Sequence, residues 1–169
     1  MQHRKDDRLK DQLEKWLVNS RKVAILGVGS AFRGDDNIGP TVVRNLSKTK
    51  LAKNIKLFNC GTTPERFTKT IQEFKPTHII IIDSARLNLS PGEADLISTD
   101  KIGGLTISTH TLPLNVVADY LYQITKAKII LLGVQPKSLD FSNCLTPELE
   151  KAARNITDIF VSINEITRG

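Results

Sequence analysis

The chain has 169 residues, 40% hydrophobic and 25% charged, and 24 Lys and Arg outweigh 18 Asp and Glu to give a formal charge of +6. That length suits one domain, residues 1–169, able to bury roughly two-thirds of its unfolded surface. Ordinary Gly and Pro levels exclude disordered and collagen-like classes. Cys60 and Cys144 form no C-x-x-C pair, which argues against a structural zinc site or a secreted disulfide scaffold and points to a reducing, cytoplasmic setting.

The N-terminal stretch is charged from residue 3, and no later run reaches the ~20 apolar residues of a membrane span. Neither export nor membrane insertion is expected. Basic residues are scattered and aromatics make up only 5% of the chain, so the charge reads as a solvated surface and no nucleic-acid partner is expected.

Leu9, Leu13, Trp16 and Leu17 recur at helical spacing and predict an amphipathic helix over 6–18. Residues 1–20 form a helical extension on the flank of the domain. Short apolar runs at 22–27, 55–60, 77–83 and 127–134 have the pattern of buried parallel strands. Helical periodicity falls between them at 38–50, 64–75 and 113–126, with Pro40, Pro64 and Pro113 in first turns, where a missing N–H costs little. EADLIS at 93–98 follows the turn residues Ser90, Pro91 and Gly92 and suggests an edge strand, with antiparallel pairing possible. Thr146, Pro147 and Glu148 open a long closing helix. The alternation predicts a three-layer α/β fold, a mostly parallel twisted sheet with helices on both faces and one possible antiparallel edge strand.

Ligands of open α/β sheets gather beyond the carboxyl ends of the strands. Asp36 lies in GVGSAFRGDD after the first strand, and Asp83 closes IIIID. Either alone reads equally well as a helix cap or turn residue. His110, in ISTHTLP ahead of the Pro113 helix, can project into the same crevice. Two carboxylates and an imidazole suit nickel, zinc, iron or manganese and leave positions open for a substrate group. Spacing leaves assembly open, because the three are scattered along the chain.

Gly27, Gly29 and Gly34 invite a dinucleotide reading, but Phe32 occupies the third glycine position of G-x-G-x-x-G and no ribose-binding carboxylate ends the second strand. No nucleotide is expected. The glycines instead allow a tight bend beside the crevice. His78 reads as structural, His3 as part of a frayed end, and Cys60 as a small buried thiol rather than a nucleophile.

From residue 22 to about 155, GVGSAFRGDDNIGP, GTTPE, IIIDSARLNLSPGE, STHTLPL and LLGVQP succeed one another in an order that resembles the hydrogenase maturation endopeptidases, which process nickel-iron hydrogenase large subunits. The first resembles that family's G-x-G-N-x-x-x-x-D-D/E-x-x-G block, the second its G-G-T-x-P-E turn, the third its D-A strand end with Pro-Gly-Glu. Ser30 stands where the family usually has Asn, and Cys60 where a small glycine is common. Any one motif is weak; five in order are specific.

The resemblance implies that Asp36, Asp83 and His110 are nickel ligands, and that the nickel arrives in the precursor of a nickel-iron hydrogenase large subunit, whose C-terminal extension is then removed. Nickel is thereby a mark carried by the substrate rather than a resident cofactor. Asp36 and Asp83 are the catalytic candidates without an assignable general base, and Asp35 is a further polar neighbour. The alternative is a chaperone that binds the immature nickel site through the same triad without cutting.

Overall fold

The computed structural model describes residues 1–105 and 112–167, apart from the side chains of Gln2 and 164–167. His110 therefore lies outside the described residues. In chain order the elements are α1 (Gln2–Trp16), β1 (Val23–Val28), α2 (Ile38–Ser47), β2 (Ile55–Gly61), α3 (Thr68–Phe74), β3 (His78–Ser84), β4 (Ala94–Ser98), α4 (Thr99–Ile102), α5 (Leu114–Thr125), β5 (Lys128–Val134) and α6 (Pro147–Thr167), with 3-10 turns at Gly34–Asn37 and Pro64–Phe67.

The strands form one sheet in the order β2-β1-β3-β5-β4. β1, β2, β3 and β5 run parallel, while β4 pairs antiparallel with β5. This confirms the α/β reading and the antiparallel edge. A parallel neighbour needs a crossover of a dozen or more residues, and the stretch from β3 to β4 is too short to carry a helix. The chain instead turns back along β5, fastened where the Gln135 Oε1 accepts from Leu87 N at 2.6 Å and Gln135 N donates to Glu93 O at 2.8 Å.

Side chains alternate across the pleat. Val23, Ile25, Ile80 and Ile82 pack with α1, α2 and α6, whereas Ala24, Leu26, Ile79 and Ile81 pack with α3 and α5. The apolar runs show no alternation in sequence because both faces are covered. The extension α1 buries Leu9, Leu13 and Leu17 on the α6 side. Its Lys5 and Arg8 pair with Glu93 and Asp95, so it guards the β4 edge, which would otherwise offer unpaired backbone groups.

Boundaries moved in a few places. α1 begins at Gln2, so His3 sits in a first turn and not in a frayed end. α2 stops at Ser47 because Lys48 and Thr49 bond back to Asn45 O and Leu46 O, a tightened closing turn. The segment expected as one helix over 64–75 divides into a 3-10 turn and α3. α4, with Ile102 as its buried anchor, is too short to show periodicity in sequence.

Candidate active site

The strand order reverses between β1 and β3. The chain leaves β1 toward β2 on one side and returns to place β3 on the other. At such a switch point the connections diverge and leave a crevice at the carboxyl ends. Pairing of β1 with β3 stops at Gly27 and Ile82, and the register of β1 against β2 shifts between Gly27 and Val28. β3 continues through Asp83 and Ser84 alongside β5.

Two glycines bring the next turn into this opening. Gly29 has φ +148, and an added Cβ would lie 1.8 Å from Asp36 O. Gly39, in the first turn of α2, would place a Cβ 2.1 Å from Ile82 O and 2.5 Å from Val28 O. Backbone therefore packs on backbone at both points, and the 3-10 turn carrying Asp35 and Asp36 is seated over the parting ends of β1 and β3.

Asp35, Asp36, Asp83 and Ser84 are all buried, at 0%, 1%, 0% and 0% exposure. Buried carboxylates need hydrogen-bond donors, and the donors separate their roles. Asp35 accepts from the backbone N–H groups of Lys137 (2.9 Å), Ser138 (3.0 Å) and Thr146 (2.7 Å), and from the Thr146 hydroxyl. It fastens the segment between β5 and α6 and is structural. Asp35, expected as a further polar neighbour of Asp36, stands beside it in the turn but directs its carboxylate to a different part of the chain, because consecutive side chains in a 3-10 turn diverge.

Among the described residues, Asp36 has one donor on each oxygen. Ser30 N reaches Oδ2 at 2.8 Å and the Ser84 hydroxyl reaches Oδ1 at 2.8 Å. The helix-cap alternative for Asp36 fails, because neither the 3-10 turn nor α2 has a side-chain cap. Where Ser30 replaces the asparagine, the backbone N–H serves Asp36, and the Ser30 hydroxyl accepts from Phe32 N within its own turn.

Asp83 Oδ1 accepts from Ser84 N at 2.8 Å. By strand alternation Asp83 shares the face of Ile79 and Ile81, which α5 covers, while Ser84 shares that of Ile80 and Ile82, which α2 covers. Asp36 arrives from the α2 side, Asp83 from the α5 side, and Ser84 touches both. His110, in the segment ahead of α5, falls outside the described residues. Among the described residues no group of three or more His, Cys, Asp or Glu side chains could hold a metal ion. Both Asp36 and Asp83 are hard oxygen donors, which suits a borderline divalent ion if further ligands complete the shell.

Phe32 and Phe141 stand 65% and 89% exposed on two loops at the same pole. These loops are laced together by Ser142 N to Phe32 O at 2.9 Å and Gly34 N to Ser142 O at 2.8 Å. Cys60 is buried, and burial, with the Glu65 charge adding to it, pushes its thiol up to about 12. It is no nucleophile at neutral pH. Sequence reasoning missed Ser84, whose residue type carries no signal by itself, and Gln135, whose place in LLGVQP was the only hint.

Fold and site together define an open α/β protein with buried carboxylates, Asp36 and Asp83, held at its switch point. The HycI hydrogenase maturation protease family model matches residues 40–163. Hydrogenase 3 maturation protease of Escherichia coli is 30% identical over 133 residues, covering 78% of this chain and 84% of its own. A Methanocaldococcus jannaschii protein provisionally named a hydrogenase maturation protease is 37% identical over 164 residues, covering 93% and 96%. The crystal structure of the NiFe hydrogenase maturation protease HycI from Thermococcus kodakarensis superposes with a TM-score of 0.84 at 28% identity, over 91% of this chain and 99% of that one. The chain belongs to the hydrogenase maturation protease family, a family of endopeptidases. Among the described residues, no helix is long and apolar enough to cross a membrane.

Proposed function

We propose that this endopeptidase removes the C-terminal extension from the nickel-loaded precursor of a nickel-iron hydrogenase large subunit, and that Asp36, Asp83 and His110 engage the nickel the substrate carries. The observation that supports this best is that Ser84, at the switch point, bonds to two buried aspartates from separate elements, Asp36 and Asp83. A site that grips the substrate's ion admits only loaded precursor to the cutting geometry, so binding energy goes into orientation of the scissile bond. Bound nickel supplies charge that can polarise a carbonyl or a water. The chain's part is to hold the ion and the neighbouring peptide, and water attack is the step we favour. Asp35 cannot serve as general base, because both its oxygens already bind the β5–α6 segment. Exposed Phe32 and Phe141 provide apolar surface at the same pole, of the kind a polypeptide substrate covers. We assign the reaction to the cytoplasm, in keeping with two free cysteines.

Incubation of this protein with loaded and nickel-free precursor, then mass measurement, tests the reading. Loss of the tail only from the loaded form, abolished by Asp36→Ala, Asp83→Ala and His110→Ala in folded protein, is the expected result. An unchanged mass in both incubations would leave the chaperone reading standing in its place.

A further inference from the structure

We infer that Ser84 is a positioning residue for the nickel-engaging pair, setting both carboxylates before the ion arrives. The inference rests on the assignment of Asp36 and Asp83 to nickel. Ser84 ends β3 fully buried, and it donates twice: its hydroxyl to Asp36 Oδ1 and its backbone N–H to Asp83 Oδ1, each at 2.8 Å. Strand geometry makes this double role available to few residues. Asp83 belongs to the preceding position, so the Ser84 N–H lies within reach of it, while the side chain points to the opposite face, where the turn after β1 delivers Asp36.

The consequence for the site is geometric. With Ser30 N on Oδ2 and Ser84 Oγ on Oδ1, the plane of the Asp36 carboxylate is defined from both sides, and its remaining lone pairs point in set directions. Groups that orient metal ligands in this way typically contribute 10–100-fold to metal affinity or activity. An alanine at this position keeps the backbone donor to Asp83 and removes only the donor to Asp36, so the two halves of the arrangement are separable.

The test measures Ni²⁺ uptake by the free protein, in competition with a chromogenic chelator, and kcat/KM on nickel-loaded precursor. Ser84→Ala is compared with wild type and with Ser84→Thr, which restores the hydroxyl. Should the added methyl prevent folding of Ser84→Thr, Ser84→Cys, a similar frame with a weak S–H donor, takes its place. Ser84→Ala is expected to unfold cooperatively yet to lose about 10–100-fold in both readouts, with recovery in the hydroxyl variant and partial recovery in the thiol one. Wild-type behaviour in folded Ser84→Ala, or a loss that neither donor variant restores, overturns the inference alone. A wild-type protein that neither takes up Ni²⁺ nor cuts loaded precursor removes the nickel assignment and this inference with it.

Discussion

The Ser84 hydroxyl donates to Asp36 Oδ1 at 2.8 Å across 48 positions of sequence, joining the end of β3 to the turn after β1. This bond crosses the switch point where β1 and β3 part. One residue earlier in the same turn, Asp35 faces the β5–α6 segment instead. Two adjacent aspartates thus have different work, and substitution should separate them.

Asp35→Ala is expected to cost stability. It orphans the N–H groups of Lys137, Ser138 and Thr146, and each such loss costs ~1–3 kcal/mol when the donor is withdrawn from water. Partial exposure of those partners moderates the sum, so a loss of about 3–5 kcal/mol in urea unfolding is expected. Asp36→Asn keeps an acceptor and the volume, and should fold while failing to process precursor. Similar stability for Asp35→Ala and wild type would contradict the structural role.

Phe32→Ala and Phe141→Ala should leave folding nearly unchanged, since both rings are largely in water. Each should raise KM for the loaded precursor severalfold, equivalent to roughly 1 kcal/mol of lost apolar contact, with kcat preserved. Steady-state kinetics on the two variants decides the matter, and an unaltered KM in both would remove these rings from substrate docking.

The two thiols should behave oppositely. Cys60 is buried and its thiol is pushed up to about 12, whereas Cys144 is exposed on the loop before α6. Iodoacetamide at pH 8 is expected to modify Cys144 in the native protein, and Cys60 only after denaturation. Peptide mapping that finds native Cys60 alkylated as fast as Cys144 would count against the burial described for β2.

His78 provides a pH test away from the site. It is buried at the start of β3 with its ring against Trp16 (centroids 4.9 Å apart), its Nδ1 lies 3.0 Å from Thr77 Oγ1, and among the described residues no group is within good hydrogen-bond geometry of its Nε2. Burial lowers its pKa and the Lys128 charge reinforces this, outweighing the opposing pull of the Trp16 backbone. The unfolded chain then binds the proton more readily than the folded one. The stabilisation is complete above the ordinary imidazole value of about 6.5 and declines as pH falls through the lower folded value. The urea midpoint of His78→Phe should therefore fall less steeply than that of wild type between pH 7 and 5. Parallel slopes would show that His78 is not held neutral.

Much of this architecture was legible in the chain. Apolar runs marked the four parallel strands, the turn residues Ser90, Pro91 and Gly92 marked the approach to β4, and amphipathic spacing marked the longer helices, because these patterns depend on neighbours in sequence. Asp83 was conspicuous because a carboxylate after four isoleucines has to stand at a strand end. Asp36 stood out as a site candidate, but the structural role of Asp35 was not legible, since its partners lie 102 to 111 positions away.

By itself, then, the sequence determined the alternation of strands and helices, the strand-end placement of Asp83, the glycine-rich bend before Asp36 and the order of motifs that marks the family. All of these are local, set by backbone propensity and residue spacing. Only the tertiary structure decided that β4 turns back antiparallel on β5, that α1 covers that edge, that Asp35 fastens the β5–α6 segment, and that Ser84 links Asp36 to Asp83. Those outcomes depend on which distant donors meet which buried acceptors, and that is settled when the strands take their order in the sheet.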